Sequence, residues 1–252
     1  VESSDGIIGL GEIPGDARTL RAIEAVSERL IGVDCYRLNT VADRIARAAA
    51  DEDDRGDRPW DRRVTVHVQS AVEVACLDLL GKSVGRPVCD LLGGAVRDRV
   101  PFAAYLFFKE RGAGGSYGFE LDPHAAGWES ARQEAAVDAP GIVAQAQAMC
   151  AEFGFRSIKL KGGTFHPDHE VDAVLALREA FGPEIPLRFD PNAVWSLETA
   201  VAMGRRLSGA LEYYEDPVRG QEAMAELARR VDIPRATNMC TTSFDDIPGS
   251  VA

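Results

Sequence analysis

The feature that most constrains this 252-residue chain is the change of hydrophobic period repeated through its second half. Short apolar runs stand at Pro101–Phe108, Ser157–Lys161, Pro186–Asp190, Leu211–Glu215 and Arg235–Asn238. Between them, apolar residues recur every three or four positions over Ala139–Phe153, His169–Phe181, Leu197–Leu207 and Glu222–Val231. The first pattern predicts strands and the second predicts helices. Strict β-α-β-α order implies a parallel sheet, because each helix carries the chain back to the starting edge of the next strand. The polar residues closing four of these strands, Lys159, Asp190, Glu215 and Asn238, are separated by 31, 25 and 23 positions. A (β/α)8 barrel uses about 31 residues per unit, so the spacing suits a barrel. Five strands cannot close at the usual shear and would leave two unpaired edges. The expectation is therefore the first five strands of a (β/α)8 barrel belonging to a longer polypeptide. An open five-stranded sheet is the alternative.

The first hundred residues follow a different grammar. Ile7–Gly15 reads as a strand closed by a Pro-Gly turn, with no partner upstream. Helices are predicted near Ala17–Leu30, Tyr36–Ala50, Val66–Ser83 and Val88–Leu92. Residues 51–63 are charge-dense and read as a solvated loop, the acidic run Asp51–Asp54 included. The fold class is thus α/β, with a partial α+β domain over residues 1–98 and the barrel portion over residues 99–252.

Composition removes several function classes. A formal charge of −12 argues against a nucleic-acid binder and against attachment to an anionic lipid surface. No run approaches the roughly 18 apolar residues of a spanning helix, and no basic stretch precedes an apolar one at the start. The five cysteines are scattered with no CxxC pair, which reads as free thiols in a reducing cytoplasm. A small-molecule partner remains, with no nucleic acid and no membrane.

Chemistry concentrates at the strand ends, which in a barrel surround one mouth. Lys159 and Lys161 are two apart, so both point to the same side of their strand. Desolvation and mutual repulsion are expected to favour a neutral amine in one of them, as a general base requires. Gly162-Gly163 follows at once and lets a ligand approach. Asp190, Glu215 and Asn238 offer three oxygen donors on three successive strands, a hard set that suits Mg2+. Taken singly, Asp190-Pro191 and Asp216-Pro217 would read as turn openings. Their register after a Lys-x-Lys strand favours the metal reading. His166-x-x-His169 lies in the following loop with no third ligand near in sequence, and reads as a solvated helix start.

Lys-x-Lys followed by Asp, Glu and Asn on the next three strands resembles the enolase superfamily, and within it the glucarate dehydratase group. The resembling stretches are Gly11–Gly15, Ala104–Phe108, Ile158–Gly163, Asp190–Ser196, Glu215–Pro217 and Ala236–Met239. The resemblance implies an enolase-type capping domain and barrel. It implies a Mg2+-dependent hydro-lyase acting on an acid sugar, a dicarboxylate such as D-glucarate, or alternatively galactarate. Lys161 would remove the proton α to a carboxylate, and Lys159 would bind that carboxylate. Asp190, Glu215 and Asn238 would hold Mg2+. Tyr105, Phe107 and Asn192 would line the substrate pocket, with Lys159 and Asn238 touching the substrate as well. A cytoplasmic homo-oligomer is implied too. The resemblance departs at Pro59-Trp60-Asp61, where relatives carry Thr-Phe-Asp, and the His–Asp dyad of later barrel strands has no counterpart in this sequence. A catalytically silent chain is therefore the competing expectation. A racemase or cycloisomerase is disfavoured by Asn at the third ligand position.

Overall fold

In the computed structural model the described residues are 1–13, 15–53, 64–112 and 124–251. Pro59, Trp60 and Asp61 lie outside them, as do most of the charge-dense and Gly-rich stretches. The chain divides into two compact units, Val1–Arg99 and Val100–Ala252.

The first unit is helical. It contains α1 (Ala17–Leu30), α2 (Leu38–Asp53), α3 (Val64–Val84) and the short α4 (Val88–Leu91). Asp16 starts α1: its Oδ1 accepts from the backbone N–H of Arg18 at 2.9 Å and of Thr19 at 2.8 Å, two of the donors a helix start leaves unpaired. Ala22 and Val26 of α1, Val41 and Ile45 of α2, and Val64 and Val68 of α3 form one core. By length and composition alone α3 could cross a bilayer, but Val68, Ala71, Ala75, Cys76, Leu79 and Leu80 are buried within the protein, while Val66 and Val74 are exposed. The strand expected at Ile7–Gly15 is not one. Among the described residues it makes a single bridge, Glu2 to Ile8. Its glycines explain the difference, because the segment lies flat on α3. A Cβ on Gly9 would sit 1.9 Å from Ala75 O, and one on Gly11 would sit 1.9 Å from Ala71 O.

The second unit alternates as the sequence pattern predicts. Its order is β1 (Ala104–Phe107), α5 (Gly127–Ala131), α6 (Ala139–Phe153), β2 (Ile158–Lys161), α7 (Pro167–Phe181), β3 (Leu187–Asp190), α8 (Leu197–Arg206), β4 (Tyr213–Glu215), α9 (Gln221–Arg230), β5 (Arg235–Ala236) and α10 (Ile247–Ser250). The five strands form one sheet in the order β1-β2-β3-β4-β5, every neighbouring pair parallel. Helix boundaries carry recognisable signals. Asp138 caps α6 and Ser196 caps α8 through side-chain oxygens, Pro140 and Pro167 stand in first turns, and Gly154 ends α6 in the left-handed conformation. The helix α5 lies at the end of a Gly- and Ser-rich stretch that reads as irregular.

Alternation along the strands builds the core. Ala104, Leu106, Ile158, Leu160, Leu187 and Phe189 are fully or almost fully buried against Ile142, Ala146, Val171, Val174 and Leu177 from the helices and Leu207 just beyond α8. At roughly 1.5–3 kcal/mol per large apolar side chain, this layer is what fixes the strands in register. The opposite set, which includes Tyr105, Phe107, Lys159 and Lys161, is left on the other face.

Candidate active site at the strand ends

Register sets the site's rows. Tyr105, Lys159 and Arg188 are paired across β1, β2 and β3, and so are Phe107, Lys161 and Asp190 one step nearer the strand ends. Lys159 Nζ lies 2.6 Å from Glu215 Oε2 and 3.2 Å from Asp190 Oδ2. Lys161 Nζ donates to the same Asp190 Oδ2. Both carboxylates are buried, Asp190 at 1% exposure and Glu215 at 6%. Such groups persist inside a protein only when paired, and the two lysines supply the pairing. Asn238 Nδ2 donates to Glu215 Oε1 at 3.2 Å, which brings the third expected oxygen donor beside the second. Asn192 closes the far side. Its N–H donates to Asp190 Oδ1 at 2.9 Å, and its Nδ2 donates to Gly162 O at 3.3 Å. Tyr105 and Phe107 are exposed, with ring centroids 4.5 Å apart, and Lys159 Nζ sits 5.2 Å from the centre of the Tyr105 ring. All eight residues singled out from the sequence thus stand around the ends of β1 to β5.

The electrostatics of Lys159 are set by its acidic neighbours. Burial pulls the Lys159 amine down, but the hydrogen bond to Glu215 and the charges of Asp190 and Glu215 outweigh it, so the amine lies above the usual lysine value. The raised value favours the ammonium form of Lys159. Glu215 shows the converse. Burial pushes its carboxyl up, Lys159 pulls it back, and the neighbouring Asp190 charge pushes it up again, for a net rise.

Two residues with no role in the expected site hold the frame. Glu170, fully buried in α7, accepts the N–H groups of Gly163 at 2.9 Å, Thr164 at 2.7 Å and Phe165 at 2.8 Å. It thereby fixes the chain directly after Lys161. Its signal was available, since helical spacing places Glu170 on the face of Ala173, Val174 and Leu177, where an acid must be satisfied. Asp216, also fully buried, accepts from Thr237 Oγ1 at 2.5 Å and from Asn238 N at 2.9 Å. The histidine pair divides: His166 is the exposed N-cap of α7, whereas His169 packs beside Phe108 and Phe165 and hydrogen-bonds Val137 O at 2.6 Å.

The donor set fits a small hard divalent cation. Two buried carboxylates balance its charge, and a turn of the Asn238 amide presents a third oxygen. Among the described residues no group of three or more His, Cys, Asp or Glu side chains is placed to hold a metal ion.

The enolase C-terminal domain-like family matches residues 141–249, and the mandelate racemase / muconate lactonizing enzyme N-terminal domain family matches residues 1–93. A probable glucarate dehydratase of Streptomyces coelicolor is 44% identical over 256 residues, covering 98% of this chain and 57% of that protein. A crystal structure of an enolase from Thermobispora bispora, complexed with magnesium and formate, gives a TM-score of 0.82 at 44% identity, over 99% of this chain and 57% of that one. An enolase from Pseudomonas fluorescens, with bound magnesium, potassium and tartrate, gives 0.82 at 43% identity, over 99% and 58%. The chain therefore spans a little more than half the length of these relatives. With both family domains matched in sequence order, and with lysines and oxygen donors brought together on successive parallel strands, the chain belongs to the enolase superfamily.

Proposed function

We propose that this chain carries the base and metal-ligand half of a Mg2+-dependent acid-sugar dehydratase, with D-glucarate as the leading substrate and galactarate next. The observation that carries the reading is the pairing of two amines with two buried carboxylates on three adjacent strand ends. The similarity to a probable glucarate dehydratase supports the substrate class. So do the small carboxylates, formate and tartrate, bound in the similar crystal structures.

Asp190, Glu215 and Asn238 would hold Mg2+, which when bound supplies Lewis-acid stabilisation of charge on the substrate carboxylate. Lys159, as an ammonium ion, holds that carboxylate by charge. Lys161 takes the proton from the adjacent carbon onto Nζ, and the electron pair of the broken C–H bond forms the C=C bond. The β C–O bond breaks, the hydroxyl leaves as water with one proton, balancing the one removed from the α carbon, and the enol loses its O–H proton as the β carbon gains one, giving the ketone. Asn192 and the Tyr105–Phe107 pair orient the chain of hydroxyl groups.

The test follows the α-proton. With Mg2+ present, the protein in deuterated water should exchange the α-proton of glucarate, and Lys161→Ala should abolish the exchange. Exchange retained by that variant would remove Lys161 as the base. Asn238→Leu should weaken Mg2+ binding in a calorimetric titration, and an unchanged affinity would break the ligand set.

A further inference from the structure

Three non-glycine residues among those described adopt left-handed backbone: Asn192 (φ 61°), Ala193 (φ 56°) and Asp216 (φ 38°). All follow the ends of β3 or β4, and Asp216 is where their contacts meet. It follows Glu215 directly in the chain. Its Oδ2 accepts from the N–H of Asn238 at 2.9 Å and of Met239 at 3.2 Å, and its Oδ1 accepts from Thr237 Oγ1 at 2.5 Å. Its carbonyl oxygen accepts from Ala193 N at 2.6 Å, three residues beyond Asp190. Its own N–H donates to Ala236 O at 3.0 Å, at the last ladder position of β5. One fully buried residue is thus tied to the chain segment of every expected oxygen donor. The tie matters most at Asn238, which is exposed and lies beyond the end of β5, where the sheet ladder no longer holds it. Left-handed backbone is uncommon outside glycine, and at Asp216 it is held by bonds on every side.

We propose that Asp216 is the positioning residue of the cation site. It sets the separation of Asp190, Glu215 and Asn238, and through it the preference for Mg2+ over the larger Ca2+. The proposal rests on the reading of those three residues as the Mg2+ ligands. Asp216 is not itself a ligand, because both of its carboxylate oxygens are already engaged by the 237–239 segment. Mg2+ demands near-octahedral oxygens at about 2.0–2.1 Å, whereas Ca2+ accepts flexible sets at about 2.3–2.6 Å. Loosening the frame therefore penalises Mg2+ more than Ca2+. Loss of charge alone penalises both alike.

The experiment titrates the whole chain with MgCl2 and, separately, with CaCl2 by calorimetry, alongside unfolding midpoints. Asp216→Ala should weaken Mg2+ binding about tenfold or more, the scale seen when partners of metal ligands are removed. Ca2+ affinity should fall less, and Asp216→Asn should lie between the parent and Asp216→Ala. Thr237→Val keeps the Asp216 charge and removes one tether, so it should shift the Mg2+/Ca2+ preference in the same direction. It also carries the test if Asp216→Ala fails to fold. Equal losses for the two cations, or unchanged Mg2+ affinity in folded variants, would overturn the positioning role and leave the Mg2+ site standing. If the unsubstituted chain binds no Mg2+, the ligand assignment falls and the proposal with it.

Discussion

Glu170→Ala should be among the most damaging single changes in the second unit. The carboxylate is fully buried and accepts three successive N–H groups, from Gly163, Thr164 and Phe165, at 2.7–2.9 Å. A hydrogen bond to a charged group contributes about 1.5–3 kcal/mol net when its loss strands the donor. Thr164 and Phe165 lie at the surface, so water recovers roughly half of their share. Gly163 is half-buried and its share is lost in full. The total is about 3–6 kcal/mol. Glu170→Gln separates charge and shape. The amide oxygen can still serve two donors, but its NH2 group then faces the third, for a loss of about 1.5–3 kcal/mol. Urea unfolding read by tryptophan fluorescence measures both. Trp195 reports on the relevant core, since it is buried with ring centroids 5.6 Å from Phe189 and 6.2 Å from Tyr214. A Gln variant with the parent midpoint would refute the claim that this carboxylate holds the loop after Lys161.

Two further outcomes concern pH. Backbone hydrogen bonding from Thr19 first, and then from Arg18, holds the Asp16 carboxyl below its ordinary value. The stability it brings is present above about pH 3.8 and is lost as pH falls through the depressed folded value. Asp16→Ala should cost about 1 kcal/mol at neutral pH and flatten the acid limb of a melting curve, and an unchanged acid limb would count against the cap. For Lys159 the sign reverses. Its folded value is raised, so its contribution is complete below about pH 10.5 and disappears as pH rises through the higher folded value. Melting temperature should drop in that alkaline range for the parent and less for Lys159→Met; identical drops would show that the Glu215 and Asp190 pairing does not stabilise the fold.

Much of the second unit was legible because its signals are local. Period, caps and turn residues place α6 at Ala139–Phe153 to the residue, and the period-2 alternation already separates Lys159 and Lys161 from Ile158 and Leu160. What escaped depends on partners distant in sequence. Ile7–Ile13 has strand-like alternation, yet a strand needs a ladder, and here two glycines press the backbone onto a helix. Asp216 reads as a turn opening because Pro217 follows it, and only the return of the chain at 237–239 gives its carboxylate donors. The acids that face Lys159 were not legible from its own strand, because Asp190 and Glu215 arrive from later strands, and their charges raise its value above the usual one. The oxygen donors were nonetheless readable, since the regular spacing of strand ends carries long-range information that single residues lack.

The left-handed pair Asn192–Ala193 bears on how such a pocket can change its selectivity. Left-handed backbone costs most residues about 1–2 kcal/mol, and only Gly, Asn and Asp visit it readily. Asn192 also reaches back to Gly162 O, so a replacement there must suit the backbone and the neighbouring loop together. The corner of the mouth nearest Asp190 therefore admits few alternative side chains. Tyr105 and Phe107 stand instead on ordinary extended backbone, with their rings exposed and the packing core on the other face of β1. Substitution costs the fold little there, and a library that probes the proposed substrate preference is best placed in β1.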